Sequence, residues 1–319
     1  MSTKTALIAG ITGQDGAYLA ENLLNRGYKI VGTSRDFYSA DLSKLKILGI
    51  EKDIEIISLS PTDFRSVLTS LIKIKPQEIY NLSGQTSVGL SFEQPVEAME
   101  SIAGATLNFL EAIRYLDRNI RFFNAGSSDC FGDTGNIKAN EKSQFKPLSP
   151  YAIAKCASFW QVSSYRSSYS MYCCSGILSN HESPLRGDRF VTKKIVNKAK
   201  KIKLGLETTL ELGNIDITRD WGWSPDYVEA MYLMLNNKKA DDYIICTGHS
   251  HTLEDFIKLT FEKLDLNYKN HLSVNKKFFR PSDIKNSFLS PNKINKNLSW
   301  KASRKLDYII EQMLDQTIF

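Results

Sequence analysis

The stretch "NAGSSDCFGD" at residues 124–133 places small polar side chains directly after the apolar run "IRFF". Such a switch at the end of a buried strand can place side chains at the mouth of a cleft, but it can equally form an ordinary turn. Two of its residues are suited to chemistry. Ser127 can share a hydrogen bond with a substrate hydroxyl, and Asp129 can move a proton. The stretch alone leaves both interpretations open.

A tyrosine and a lysine follow in "SPYAIAKC", where Tyr151 and Lys155 are four residues apart. On a helix this spacing puts both side chains on one face, with the ammonium beneath the phenol. A free tyrosine, with a pKa of about 10, is a poor base at neutral pH. A nearby cation and a positively charged nicotinamide favour the phenolate, which can then take a hydroxyl proton as hydride leaves. The pair therefore predicts hydride-transfer chemistry.

Three glycines near the N-terminus indicate a binding site for the cofactor that hydride transfer requires. Gly10, Gly13 and Gly16 form G-x-x-G-x-x-G between the apolar run "TALIAG" and the helical pattern "AYLAENLLNRG". Backbone at such a turn approaches its ligand closely, and the N-terminus of the helix favours an anion. The triplet in this position predicts dinucleotide binding rather than a plain tight turn.

The end of the second predicted strand, "YKIVGTS", discriminates between the two nicotinamide dinucleotides. An acidic residue there would bind the ribose 2′-hydroxyl of NAD, whereas Ser34 followed by Arg35 suits the 2′-phosphate of NADP. Asp36 keeps NAD open as the alternative cofactor. If the strand end is misplaced by two residues, this acid would lie at the position that binds the ribose. A solvated surface arginine is the other interpretation of Arg35.

Alternating strand and helix patterns must position these groups. Apolar runs such as "IEIISLS", "EIYNLS", "IRFFNAGSS" and "MYCCSGILSN" alternate with helical stretches such as "ATLNFLEAIRYL" and "YAIAKCASFWQVSSYRSSY". Strands joined by crossover helices predict an α/β fold with a doubly wound parallel sheet of Rossmann type. We expect a nucleotide-binding domain at residues 1–180, with returning segments from about 213–237. Residues 181–319 should form a smaller, partly interleaved substrate lobe.

Composition narrows the class of protein. The chain has 319 residues, 42% hydrophobic and 24% charged, with a net charge of +6. It has no apolar run long enough for a signal peptide or a membrane span, and its five cysteines lack zinc-like spacing. No basic run is interleaved with aromatic residues, which argues against nucleic acid as a partner. We expect a cytoplasmic enzyme with reduced cysteines, no metal, and a phosphate-bearing small molecule as its substrate.

Longer stretches carry a family resemblance. The chain resembles the GDP-mannose 4,6-dehydratase family of extended short-chain dehydrogenases/reductases. The resemblance covers residues 6 to about 284 and includes several motifs: "GITGQDGAYLAENLL", "EIYNLSGQTSVGLSFEQP", "SPYAIAK", "NHESPLRGDRFVTKKI", "LGNIDITRDWGWSPDYVEAM" and "RPSDI".

The resemblance implies a set of site residues. The catalytic positions of the family fall on Ser127, Asp129, Tyr151 and Lys155. The implied contacts to NADP, besides Tyr151, Lys155 and Arg35, are Gly10, Thr12, Gly13, Gln14, Asp15, Gly16, Leu82, Ser83, Gly84, His181 and Arg186. The implied contacts to the substrate are Arg219 and Arg280 at the nucleotide diphosphate, Asp283 near the ribose, and more weakly Asn180 and Lys194. From the residues alone, His181 would be a satisfied structural histidine and both arginines would be surface residues.

The chain also departs from the family pattern. The family glutamate is Asp129 here, which is shorter by one methylene. Ser60 stands where an acidic residue is expected to touch adenine, and Glu97 stands where a tyrosine lies near the cofactor. The double-arginine loop after the second strand is reduced to "SRDFYSA", which leaves a homodimer as plausible as a homotetramer.

The resemblance implies an NADP-dependent lyase that converts GDP-mannose, or a close GDP-manno sugar, to the GDP-4-keto-6-deoxy sugar. Tyr151 would take the O4 proton, and Asp129 would remove the C5 proton and protonate the departing C6 hydroxyl. Three alternatives stay open: a 4,6-dehydratase for a GDP-manno-heptose, a GDP-sugar 4-reductase or epimerase of the same fold, and a non-catalytic nucleotide-binding protein.

Overall fold

Seven parallel strands form the central sheet of the computed structural model, which describes residues 3–315. Every pairing in this sheet is parallel, and several neighbours are not consecutive in the chain. Crossovers therefore cover both faces, and the prediction of a doubly wound α/β sheet is confirmed. The strand order is β3 (Ile54–Ser58), β2 (Lys29–Ser34), β1 (Thr5–Ala9), β4 (Glu78–Asn81), β5 (Arg121–Ala125), β6 (Cys173–Leu178) and β10 (Tyr243–Ile245).

Two apolar cores cover the two faces of this sheet, because adjacent strand residues point to opposite sides. In β5, Phe122 packs on one face with Phe109 and Leu71, while Phe123 packs on the other with Tyr80 and residues of the first helix. The helices are α1 (Gln14–Leu24), α2 (Ser43–Ile47), α3 (Phe64–Ile74), α4 (Val88–Glu93), α5 (Pro95–Met99), α6 (Ala105–Leu116), α7 (Pro150–Tyr169), α8 (Val191–Lys203), α9 (Ser224–Leu235), α10 (Leu253–Glu262), α11 (Asn292–Leu298) and α12 (Leu306–Asp315).

A second lobe has its own apolar core, in which residues of α8, α10 and α12 such as Ile195, Phe256 and Ile310 are fully buried. Two small sheets accompany it. One has the order β11 (Ser250–Thr252), β9 (Thr218–Trp223) and β7 (Asn180–Glu182), and the other pairs β12 (Leu272–Val274) with β8 (Leu210–Leu212).

The chain returns to the first domain over a longer range than the expected residues 213–237. Helix α9 lies within that range and packs on α1, but β10 and α11 lie beyond it and also join the first domain. The outermost residues of the two expected domains, 1–2 and 316–319, lie outside the described residues. Within residues 3–315, no helix combines the length and apolarity that a membrane crossing requires.

Candidate active site

A cavity of about 1070 Å³ opens where the carboxyl ends of the sheet strands meet the second lobe. Ligands of doubly wound sheets bind at this edge, where the crossovers diverge. All but one of the sequence-predicted site residues line the cavity: Gly10, Thr12, Gly13, Gln14, Asp15, Gly16, Arg35, Leu82, Ser83, Gly84, Ser127, Asp129, Tyr151, Lys155, Asn180, His181, Arg186, Arg219, Arg280 and Asp283. The exception is Lys194.

The glycine loop, residues 10–16, lies between β1 and α1 and leaves almost no room for side chains at its glycines. Gly10 has φ +89°, and a Cβ at this position would lie 2.8 Å from the carbonyl oxygen of Leu82. A Cβ at Gly16 would collide with the carbonyl of Gly10, which also accepts a hydrogen bond of 3.0 Å from the Gly13 amide. The loop therefore presents bare backbone and the first amides of α1 to the cavity, which is the geometry that an anion requires.

Asp15 connects this loop to the second lobe. Its carboxylate lies 2.7 Å from His181 Nε2, and it accepts hydrogen bonds from the Ser224 hydroxyl (2.8 Å) and the Gln14 amide (3.1 Å). The other ring nitrogen of His181 lies 2.7 Å from the Ser179 carbonyl oxygen, and the ring stacks on Tyr227 at 4.5 Å. His181 thus has the contacts of a satisfied structural histidine, although it also borders the cavity.

Each member of this pair keeps the other charged. Burial alone would raise the pKa of Asp15, but the charge and hydrogen bond of His181 outweigh it and hold the pKa at about 2. Burial would lower the pKa of His181, but the Asp15 carboxylate raises it above its ordinary value. The result is a buried ion pair between the cofactor loop and β7.

The end of β2 places Arg35 at the cavity and Asp36 away from it. Arg35 and Ser34 line the cavity, whereas the Asp36 carboxylate accepts a 3.0 Å hydrogen bond from the Tyr38 amide and is absent from the lining. The register that would bring an acid to this position is therefore not the one observed. Lys44 of α2 adds a second cation to the same side of the cavity.

The opening stretch of polar residues becomes a short 3₁₀ helix, Ser128–Phe131, at the end of β5. Ser127 caps it by accepting a 3.2 Å hydrogen bond from the Asp129 amide. The same hydroxyl lies near enough to the Tyr151 phenol to lower the pKa of that phenol. The stretch is therefore an ordinary capped turn and also forms a wall of the cavity. Both interpretations offered by the sequence, a turn and the mouth of a cleft, apply to it.

Helix α7 carries the tyrosine and lysine on the face turned to the cavity. Ser149 caps it by accepting from the Ala152 amide at 3.1 Å, and Pro150 occupies the first turn, where its missing N–H costs nothing. Lys155 Nζ lies 5.7 Å from the Tyr151 ring centroid and donates to the Ala125 carbonyl at 2.6 Å. The predicted stacking of ammonium beneath phenol is therefore present.

The groups around Tyr151 favour its protonated form. Burial raises the pKa of Tyr151 far above its ordinary value, and the Asp129 carboxylate raises it further, against the hydrogen bond from Ser127. Burial also lowers the pKa of Lys155 to about 8. Ionisation of the phenol by a nearby cation together with a bound nicotinamide stays a prediction.

Asp129 faces two arginines. Burial raises its pKa, the charges of Arg219 and Arg280 oppose this rise, and Asp283 adds to it. Arg219 Nη2 donates to Asp283 Oδ1 at 3.3 Å, and Arg280 Nη1 lies 3.6 Å from the same oxygen. Asp283 therefore neutralises the arginines in part. Two cations and two carboxylates converge on one wall of the cavity.

The three remaining predicted contact residues each lie in a different environment. Arg186 Nε lies 3.0 Å from Glu182 Oε2, and its guanidinium is stacked 3.6 Å above the Phe190 ring centroid. Asn180 begins β7 and borders the cavity. Lys194 lies apart from this cavity, since its Nζ donates to the Glu211 carbonyl at 2.7 Å and its side chain lines a separate depression on α8, so its contact with the substrate stays a prediction. The helix turns this lysine away from the cleft.

Sequence reasoning missed the most conspicuous polar side chain of the cavity. Gln85 is 9% exposed, and neither its amide oxygen nor its amide nitrogen has a hydrogen-bond partner within residues 3–315. A buried amide without partners is costly, so its partner is expected to be a ligand. Glu97 Oε2 is likewise buried and unpartnered in the described part of the chain. The polar run that continues past Gly84, "QTS", was the available signal.

Comparison with known proteins places the chain among nucleotide-sugar enzymes. The family model for GDP-mannose 4,6-dehydratase matches residues 7–313. The curated protein GDP-mannose 4,6 dehydratase 1 of Arabidopsis thaliana is 40% identical over 99% of this chain and 90% of its own length. The UDP-glucose 4-epimerase of Thermus thermophilus, solved with NAD, superposes with a TM-score of 0.85 at 23% identity, over 98% of both chains. RMD of Pseudomonas aeruginosa, solved with NADPH, superposes at 0.79 with 20% identity, over 98% and 96% of the two chains.

Proposed function

The chain belongs to the GDP-mannose 4,6-dehydratase family, and from this premise we propose that it converts GDP-mannose, or a close GDP-manno sugar, to the GDP-4-keto-6-deoxy sugar. The main observation in support of this proposal is that the Asp129 carboxylate lines the same cavity as Ser127, Tyr151 and Lys155. An alcohol dehydrogenase needs only the last three. A carboxylate on the same wall supplies the acid and base that an elimination requires.

The residues on the first-domain side of the cavity fit a nicotinamide dinucleotide. Gly10, Gly13 and Gly16 leave room for a pyrophosphate at the start of α1, because side chains at Gly10 and Gly16 would strike backbone atoms. Arg35 and Ser34 suit a 2′-phosphate, which supports NADP over NAD. The glycine loop and Arg35 would hold this cofactor, which would supply an acceptor and donor of hydride for the sugar and, when oxidised, a positive charge.

Tyr151 takes the proton from the O4 hydroxyl. The Ser127 hydroxyl lowers the pKa of the phenol, and the Lys155 ammonium, held by the Ala125 carbonyl, lies on the face of the ring. A cation near the ring favours the phenolate against the burial that otherwise keeps it protonated. When hydride has reached C6, the proton held by Tyr151 balances the proton that C5 must regain, and the phenolate is restored.

Asp129 carries out the elimination. A ketone at C4 makes the C5 proton acidic, and the carboxylate removes it. The carboxylic acid then protonates the departing C6 hydroxyl, so one water is lost and the oxidation level of the product balances that of the substrate. Burial raises the pKa of Asp129, which makes the group a better base and keeps the proton available for the second step.

The arginines of the second lobe suit the diphosphate of the substrate. Arg219 is largely buried and is fixed by the carbonyls of Thr218 and Lys285 and by Asp283. A guanidinium held in this way can present its remaining N–H groups to phosphate oxygens without further ordering. Arg280, which is more exposed, would add a second cation on the side of the entering nucleotide.

We propose a homodimer or homotetramer as the working assembly and the cytoplasm as its location. Support for assembly comes from Trp160 and Ile153 of α7 and Val96 of α5, which are 61%, 47% and 68% exposed although they are apolar. Support for a reducing compartment comes from the five cysteines, all of them free and buried thiols. Sedimentation of the purified chain tests the first proposal.

The direct test uses purified protein with GDP-mannose and NADP⁺, and follows the nucleotide sugar by mass spectrometry. Loss of one water from the sugar without net formation of NADPH is the expected result. Oxidation with stoichiometric NADPH, or a change of configuration at constant mass, would reject dehydration in favour of a reductase or epimerase. Turnover of a GDP-manno-heptose but not of GDP-mannose would keep the chemistry and change the sugar.

A further inference from the structure

Two cysteines lie together directly behind the catalytic wall. Cys130 follows Asp129 in the 3₁₀ helix, and Cys156 follows Lys155 in α7. Each thiol shifts the pKa of the other. The Cys156 thiol also lies 4.0 Å from the Cys130 carbonyl oxygen, and the Cys130 thiol lies 3.8 Å from the carbonyl oxygen of Ala152. Each sulfur is therefore packed against the element that carries the other.

This arrangement differs from that of the other cysteines. Cys173 and Cys174 are neighbours in β6 and point to opposite faces of the sheet, and Cys246 is fully buried after β10. Cys156 retains 9% exposure, the largest value among the five cysteines. It is also the one whose pKa is lowered, through the hydrogen bond from Cys130, whereas burial raises the pKa of Cys130. Cys156 is thus the more exposed of the two thiols and the one that loses its proton more readily.

We propose that Cys130 and Cys156 form an oxidation-sensitive thiol pair that closes to an intramolecular disulfide in the presence of a hydroperoxide and switches off the dehydratase proposed above. This inference rests on the proposed function only for the activity that it regulates. The modification itself depends on the sulfur geometry alone.

The chemistry balances with the hydroperoxide as the oxidant. The Cys156 thiolate attacks the terminal peroxide oxygen, the O–O bond breaks, and the departing oxygen takes a proton to leave as water or an alcohol. The Cys130 thiol then attacks the sulfenic sulfur, the S–O bond breaks, and hydroxide leaves with the thiol proton as a second water. Two thiols lose two electrons and two protons, and the peroxide is reduced by two electrons.

The disulfide would disturb catalysis because of where its two ends lie. An S–S bond of about 2.05 Å is far shorter than any contact between unbonded sulfurs, so the 3₁₀ helix must be drawn toward α7. Asp129 precedes one end of the link and Lys155 precedes the other. A displacement of about 1 Å at reacting groups can cost of order a hundredfold in rate. We expect kcat to fall about ten- to a hundredfold while the KM for GDP-mannose changes little.

The first experiment detects the bond without using activity. The full-length protein is treated with hydrogen peroxide, free thiols are alkylated, and tryptic peptides are analysed without reduction. Trypsin releases Cys130 in residues 122–138 and Cys156 in residues 156–166, each as the single cysteine of its peptide. The expected product is these two peptides joined, lighter by two hydrogens than their sum, from a chain that migrates as a monomer in non-reducing electrophoresis.

Variants and activity complete the test. Cys156→Ser and Cys130→Ser should each abolish the joined peptide and keep activity in peroxide, whereas Cys246→Ser should behave like the unaltered chain. Peroxide should lower kcat in the unaltered chain, and a dithiol should restore it. The proposal is overturned if the joined peptide does not form, if the link is between two chains, or if the linked protein retains full activity. An enzyme without dehydratase activity when reduced would reject the proposed function, yet the peptide analysis would still decide the modification.

Discussion

The two sides of the cavity treat their carboxylates in opposite ways. On the first-domain side, Asp15 is surrounded by His181, Ser224 and Gln14, all within 3.1 Å, and its pKa is held at about 2. On the opposite wall, the Asp129 carboxylate accepts no hydrogen bond from residues 3–315, and burial raises its pKa. Asp15 is therefore held by other protein groups, whereas the Asp129 carboxylate is available to a ligand.

This difference separates positioning from chemistry. A carboxylate that is fully hydrogen-bonded and paired stays ionised and holds its neighbours in place, as Asp15 holds the glycine loop against β7. A carboxylate whose pKa is raised toward the working pH, and whose oxygens face open space, can exchange protons with a ligand. If this division is right, substitutions on the catalytic wall should affect turnover, and substitution of Asp15 should affect stability.

Among the residues of the catalytic wall, substitution of Tyr151 should lower kcat most. Replacement Tyr151→Phe removes the group that takes the O4 proton, and we expect kcat to fall by about 10³- to 10⁴-fold. The measurement is the rate of water loss from GDP-mannose. Tyr165→Phe, on the same helix but outside the cavity lining, is the matched control and should keep near-normal kcat. A Tyr151→Phe enzyme with undiminished kcat would remove this tyrosine from the mechanism.

Asp129→Asn should separate the two halves of the reaction. Oxidation at C4 does not need this carboxylate, but removal of the C5 proton does. We expect water loss to slow by about 10²- to 10³-fold, while reduced nicotinamide accumulates on the enzyme to one equivalent and is visible by its absorbance. Asp129→Glu restores the acid and should keep elimination. If the Asn variant neither oxidises nor dehydrates, the division of roles assigned to this wall is wrong.

Arg35→Ala should change the choice of cofactor. Loss of a charged hydrogen bond worth about 1.5–3 kcal/mol predicts a ten- to hundredfold fall in apparent affinity for NADP⁺. Affinity for NAD⁺, which lacks the 2′-phosphate, should stay nearly constant. Lys44→Ala tests the neighbouring cation in the same titrations and should have the smaller effect. Equal losses for NADP⁺ and NAD⁺ would show that Arg35 does not discriminate between them.

Asp15→Asn should weaken the fold more than the chemistry. The shift of its pKa from 3.8 to about 2 corresponds to about 2 kcal/mol of stability, which is present above pH 4 and lost as the pH falls toward 2. The raised pKa of His181 contributes below pH 6.5 and is lost as the pH rises through its folded value. The difference in unfolding free energy from the unaltered chain should therefore be greatest between about pH 4 and 6.5.

Urea titrations at several pH values measure this difference. The exposed carboxylate of Asp36 supplies the control, since Asp36→Asn should leave the unfolding free energy almost unchanged across the same range. A pH-independent loss in the Asp15→Asn chain would mean that the buried pair does not stabilise the fold through its charges.

Lys194→Ala should have the smallest effect. The lysine points to the Glu211 carbonyl and lies outside the cavity, so we expect less than about a twofold change in KM for GDP-mannose, within the range of ordinary surface substitutions. Arg219→Ala, whose side chain lines the cavity, should raise KM much more in the same assay. Equal effects would return Lys194 to the substrate site.

Local patterns predicted much of the fold. The expected helix "ATLNFLEAIRYL" is α6 at Ala105–Leu116, and "TALIAG" followed by glycines became β1 and the cofactor loop. These segments are predictable because their periodicity and turn residues act over a few neighbours. The returning strand β10 was not predicted, because three apolar residues have no periodicity and their place in the sheet depends on β6, some 70 residues earlier in the chain.

The groups that can do chemistry are recognisable from local sequence: a glycine loop before a helix, a tyrosine and lysine on one face, and a serine and acid at a strand end. Each is encoded within a few residues, where spacing dictates geometry. How each group is used depends on contacts between distant segments. The tertiary structure paired Asp15 with His181 across 166 positions, left the side chain of Gln85 without a hydrogen-bond partner among residues 3–315, placed Lys194 apart from the cleft, and packed Cys130 against Cys156. Charge, burial and partnership arise from distant segments, and these set the pKa and the role of every group.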